Sequence, residues 1–134
     1  MLFTWNINYD SPEKGVRRLI DNRDKGFEMK WIELGNETFW KNQRSNAVST
    51  VEKYIEITKA HAAALRAAEP KVKLSVNVTW RDALTNPWNV PLMKVDYYDE
   101  ITVHHYGVHP ASHDGVQTRR AAPPQMLRFP GPRG

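Results

Sequence analysis

Cysteine is absent from the 134 residues, which rules out a disulfide framework and any thiolate metal site. No apolar stretch approaches the roughly 20 residues that a membrane span requires. The opening Met1-Leu2-Phe3-Thr4-Trp5 lacks the basic start and long apolar core of a signal peptide, and localisation stays open. A glycine-rich phosphate loop, an RNA-binding signature, a short internal repeat and a heptad pattern are missing as well. Glutamate runs out early: after Glu100 the only acid is Asp114. These absences speak against nucleic-acid and membrane partners, and the last one bears on the chemistry below.

The net charge of +4 is unevenly spread. Arg119, Arg120, Arg128 and Arg133 face a single acid, Asp114, between Ala111 and Gly134, which leaves residues 1–110 close to neutral. That last stretch also holds Pro123, Pro124, Pro130 and Pro132 and breaks every period, a composition expected of disorder. The abrupt stop of the preceding pattern near Tyr106–Pro110 adds the expectation of non-native coding sequence. The chain therefore divides into residues 1–110 and a Pro/Arg-rich tail, 111–134.

Within the first part, Leu2 to Asn8 reads as a strand rich in aromatic and branched residues. Ser11 is placed to cap a helix with Pro12 at its first position and Glu13 in the first turn, and Val16, Leu19 and Ile20 form its apolar stripe. Met29 to Leu34 is the second strand, closing a βαβ unit. Ser49-Thr50-Val51-Glu52 resembles a capping box before a long helix whose apolar face holds Val51, Tyr54, Ile55, Thr58, Ala62 and Leu65, ended by Pro70. Val72 to Val78 is a third strand, Leu92 to Tyr97 a short helical turn, and Ile101 to His105 a fourth strand. Strand starts near residues 2, 29, 72 and 101 suit an α/β fold with about 30 residues per unit, as in a (β/α)8 barrel; a small doubly wound domain has the same element order.

The stretch that organises the chain is Trp31-Ile32-Glu33-Leu34-Gly35-Asn36-Glu37. An apolar strand stops at a glycine, and an amide and a carboxylate follow at the rim of the sheet. This run resembles the fourth-strand signature of clan A glycoside hydrolases, nearest to the α-L-arabinofuranosidase, β-xylosidase and β-glucuronidase-like group. The resemblance implies a partial (β/α)8 TIM barrel, about strands three to six, over residues 1–110. It implies that Glu37 is the catalytic acid/base and that Asn36 binds the sugar hydroxyl beside the anomeric carbon. Asp99 to Tyr106 resembles strand six of the same families, where Tyr106 would bond the nucleophile and His104 would hold the polar network. Asn6 resembles a strand-three position, and Trp40, Trp80 and Trp88 stand in loops at the end where sugar rings lie against indoles.

A retaining mechanism needs a second carboxylate about 5–5.5 Å from the first. The family's nucleophile is a glutamate at the end of strand seven, and no glutamate follows Glu100. The expectation is thus a fragment of a retaining O-glycoside hydrolase with a carbohydrate substrate, an acid/base, no nucleophile in this chain, no cofactor and no activity on its own. Two other readings stand beside it: a non-catalytic carbohydrate-binding remnant, and a small α/β domain binding metal through His104, His105, His109, His113 and Asp114.

Overall fold

The computed structural model describes residues 1–105. Tyr106, the end of the first part and the whole 111–134 tail lie outside the described residues.

Ser11 caps the first helix as its sequence demands: its side chain accepts a hydrogen bond from the Lys14 amide at 3.3 Å, and Pro12 opens the helix α1, Pro12–Asp24. This helix joins strand β1, Leu2–Trp5, to strand β2, Trp31–Leu34. Helix α2, Val51–Ala68, leads to strand β3, Lys73–Val78, and a four-residue helix α3, Asn89–Leu92, precedes strand β4, Glu100–Val103. The strands are shorter than the sequence pattern suggests: β1 stops at Trp5 rather than Asn8, β2 starts at Trp31 rather than Met29 and β4 stops at Val103 rather than His105. Two further details differ. The cap of α2 is Thr50, whose side chain accepts from the Lys53 amide at 3.3 Å, while Ser49 lies outside the helix with helical backbone angles. The capping box is therefore not formed. The short helical turn also falls earlier than Leu92–Tyr97, because Asn86 accepts the amides of Asn89 and Val90 and starts the helix there. Pro91 in its first turn has no amide to satisfy.

The four strands are all parallel and lie in the order β1-β2-β3-β4. A doubly wound sheet reverses its order at a switch point and carries helices on both faces. Here the order runs straight through, and α1 and α2 pack on each other over one face. That face is dry: Ile32 and Leu34 of β2 and Leu74 and Val76 of β3 are fully buried with Leu19 of α1 and Tyr54 and Leu65 of α2. Because side chains alternate along a strand, the residues between them occupy the other face. These are Glu33, Ser75, Asn77 and Thr102, all buried and all polar. The register sets Glu33 beside Ser75 and Asn77 beside Thr102, and Thr102 donates to Ser75 Oγ at 2.8 Å.

Helix α2 is bonded to several separate parts of the domain. The Tyr54 hydroxyl donates to the Leu34 carbonyl at 2.6 Å, at the end of β2. Thr58 shares a hydrogen bond with Tyr97, and the His61 Nε2–H donates to the Asp10 carbonyl at 3.0 Å. Arg66 reaches the Tyr97 carbonyl and the Asp99 carboxylate. Asp99 also accepts from the Leu74 amide at 2.9 Å and from Lys73 at 3.2 Å. Burial pushes the Asp99 carboxyl up, but these donors outweigh it and hold the group below its ordinary 3.8.

Candidate functional site

Glu37 reaches its position through two unusual backbone angles. β2 ends at Leu34, Gly35 turns the chain with φ +93°, and Glu37 itself adopts φ +46°, the left-handed region that side chains avoid. Such a residue persists only where its surroundings over-determine it. Here Asn77 of β3 supplies the restraint: its side-chain oxygen accepts from the Thr38 amide at 2.8 Å and from the Thr38 hydroxyl, and its amide donates to the Leu34 carbonyl at 3.1 Å. The turn is thus bolted to the neighbouring strand on both sides of Glu37. The Glu37 carbonyl accepts from the Trp40 amide at 2.8 Å, closing the next turn.

His104 follows the last residue of β4 and stands between two carboxylates. Its Nε2 lies 2.9 Å from Glu33 Oε1 and its Nδ1 lies 3.2 Å from Glu37 Oε1. Glu33 is 2% exposed and Glu37 8%. The hydrogen bond to Glu33 raises the His104 pKa above the ordinary 6.5; burial opposes it, and the charges of Glu33 and Glu37 reinforce it. With both ring nitrogens protonated, the imidazolium donates to both carboxylates at once.

Of the residues expected at the site, Glu37 and His104 are brought together. Asn36 is exposed at the turn. Asn6 is exposed too and lines a cleft between β1 and α1 with Arg18, Asp21 and Asn22. Trp40 is 49% exposed and packs on Phe39 with ring centroids 5.5 Å apart. Trp80 is 48% exposed, lies edge-on to His105 at 5.2 Å and carries the Arg81 guanidinium 5.4 Å from its ring. Trp88 is different: it is 7% exposed, packs on Tyr54 and donates its indole N–H to the Asn77 carbonyl at 3.2 Å. Its ring belongs to the core, so only Trp40 and Trp80 of the three offer a large open surface. Tyr106 lies outside the described residues.

Two members of the site escape a reading of the sequence alone. Glu33 reads as one charge in an apolar strand, and its partner His104 lies 71 residues on. Asn77 reads as the polar position of an alternating strand. The signal for both is the same: a polar residue in a strand whose helix-facing neighbours are fully apolar has to find a partner on the other face.

Comparison with protein-family models, with curated proteins and with solved structures finds no match in any of the three. Among the described residues no group of three His, Cys, Asp or Glu side chains is placed to hold a metal ion. Both nitrogens of His104 are engaged by carboxylates, and His105 turns to Trp80. His109, His113 and Asp114 lie outside the described residues. No helix among the described residues is long and apolar enough to cross a membrane.

Two histidines give stability opposite pH slopes. Burial lowers the His61 pKa below 6.5, against the bond to the Asp10 carbonyl and nearby acids, so its contribution is complete above pH 6.5 and is lost as pH falls through the folded value. His104 has a raised value, so its contribution is complete below 6.5 and is lost as pH rises through the folded value. Melting temperature followed by circular dichroism from pH 5 to 9 is expected to peak near 6.5. In His104→Gln the alkaline decline should vanish while the acid decline remains.

Proposed function

We propose that the four strands and three helices form part of the wall of a (β/α)8 barrel and carry the acid/base portion of a retaining glycoside hydrolase site for an oligo- or polysaccharide. The observation that carries this reading is the meeting of Glu37 and His104. They belong to two separate strand ends, each of which resembles the clan A pattern, and they lie within hydrogen-bond distance across 67 residues. The one-sided helix layer and the polar opposite face agree with a barrel wall, whose site residues stand at the C-terminal strand ends.

Glu37 is the acid/base, exposed Asn36 the amide for the sugar hydroxyl beside the anomeric carbon, and Trp80 and Trp40 the open indoles against which a pyranose or furanose ring stacks. Glu33 is a second carboxylate in the cluster but not a nucleophile. At 2% exposure and bonded to His104, it has no path to an anomeric carbon. The chain therefore binds sugar without completing a double displacement, and no cofactor takes part.

Titration with arabino- and xylo-oligosaccharides, followed by tryptophan fluorescence, is expected to show saturable binding with Kd on the order of 1 mM, weakened in Trp80→Ala. No hydrolysis of nitrophenyl arabinofuranoside or xyloside is expected. Absence of any fluorescence response at millimolar sugar overturns the carbohydrate reading. Turnover that disappears in Glu37→Gln overturns the statement that the chain is inactive.

A further inference from the structure

We propose that Glu33 is a positioning residue that keeps a proton on His104 Nε2, so that the Nδ1 proton is the one His104 exchanges with Glu37. The proposal deepens the reading of Glu37 as an acid/base and rests on it for its catalytic meaning.

The imidazole meets a carboxylate at each nitrogen, 2.9 Å away at Nε2 and 3.2 Å at Nδ1. Both bonds persist together only while the ring carries two protons. When one leaves, the other stays where its loss would be most costly. The Glu33 side chain is 2% exposed on the interior of a strand, where an unpartnered carboxylate is strongly unfavourable, and its bond is the shorter of the two. Glu37 stands on the turn beyond the strand, with a side chain 10% exposed. The Nε2–H bond to Glu33 is therefore kept, and Nδ1 is the labile position. A buried carboxylate that fixes the tautomer of a histidine, and thereby aims its other nitrogen, is the arrangement found where histidine handles protons for a partner group.

Among the described residues, the titratable groups facing the ring are Glu33 of β2 and Glu37 of the following turn. Thr102, two residues before His104 on the same face, is uncharged and bonded to Ser75. The transfer breaks the Nδ1–H bond and forms an O–H bond on Glu37. An imidazolium and a carboxylate become a neutral imidazole and a carboxylic acid, while Glu33 keeps its charge. A carboxylic acid is the form that protonates a departing glycosidic oxygen. Glu37 is then left as a carboxylate, and His104, whose side chain is 20% exposed, takes up a proton from solvent.

Long-range nitrogen–proton NMR correlation of the His104 ring in the full chain, from pH 5 to 10, tests this without any turnover. The expected result is two protonated nitrogens at low pH, and on titration above 6.5 a lone pair at Nδ1 with Nε2 still protonated. In Glu33→Gln the titration should move down toward 6.5 and the Nδ1–H tautomer should grow. In Glu37→Gln the Nε2–H tautomer should persist. A neutral wild-type ring protonated at Nδ1 overturns the proposal, with no variant needed. So does a Glu33→Gln protein whose tautomer and titration match the wild type. If the tautomer is as stated but the sugar titration is silent, the assignment of Glu33 stands and the glycosidase reading falls.

Discussion

Asn77→Leu is expected to lower the free energy of unfolding by roughly 3–5 kcal/mol, since each buried group left without a partner costs about 1–3 kcal/mol. Asn77 is fully buried, and its side chain answers two donors of Thr38 and one carbonyl of Leu34. Leucine matches its size but answers none of them. The Leu34 carbonyl keeps the Tyr54 hydroxyl, so the uncompensated groups are the Thr38 amide and hydroxyl. These are the tethers of the turn that holds Glu37 in the left-handed region. The variant should therefore lose more than stability: the resonances of His104 should shift as Glu37 departs from it. Urea unfolding followed by fluorescence measures the first effect and the His104 ring signals report the second. A change under 1 kcal/mol with unmoved His104 signals would show that Asn77 does not hold the turn.

Gly35→Ala should be nearly as severe, and a second glycine shows why. The φ of +93° at Gly35 is disfavoured for a side chain by about 1–2 kcal/mol. An added Cβ would also lie 3.0 Å from Thr38 Cγ2, 3.2 Å from Ile7 Cγ1 and 3.4 Å from Asn77 Nδ2. Overpacking of that kind costs about 1–3 kcal/mol more, for a total of roughly 3 kcal/mol against the 5–15 kcal/mol stability typical of such domains. Gly26 has a similar φ of +89° with nothing within 4 Å of its added Cβ. Gly26→Ala thus carries the backbone cost alone, and the difference between the two variants in urea unfolding isolates the crowding at Gly35. Equal losses would mean that Ile7 and Thr38 yield without cost.

These residues also show which parts of the molecule can be read from the sequence. The four strands are legible because their branched and apolar residues stand together between turn formers, and Ser11-Pro12-Glu13 announces its helix by local chemistry alone. Glu37 is legible because a glycine, an amide and a carboxylate end an apolar strand. The cap of α2 is misread by one residue, since Ser49 and Thr50 have the same chemistry and only backbone direction separates them. Trp88 is misread for a longer-range reason. A tryptophan in a polar loop looks the same whether it faces solvent or the core, and here the choice is made by Tyr54 and by the Asn77 carbonyl. The Glu33–His104–Glu37 cluster is half legible: Glu37 and His104 are visible, but the carboxylate that aims the histidine is settled by strand alternation and a partner 71 residues away.

Helix α2 has no private opening. Its side chains are tied to Leu34, Asp10, Tyr97 and Asp99, which lie at the end of β2, at the entrance to α1 and just before β4. A fluctuation that lifts one turn of it must release a strand end or a neighbouring helix as well, so local fraying merges with loss of the domain as a unit. The long helix is in this sense the keel of the structure. The sheet presents Glu37 and His104 at its rim, and the helix behind it makes their proximity a property of the whole domain.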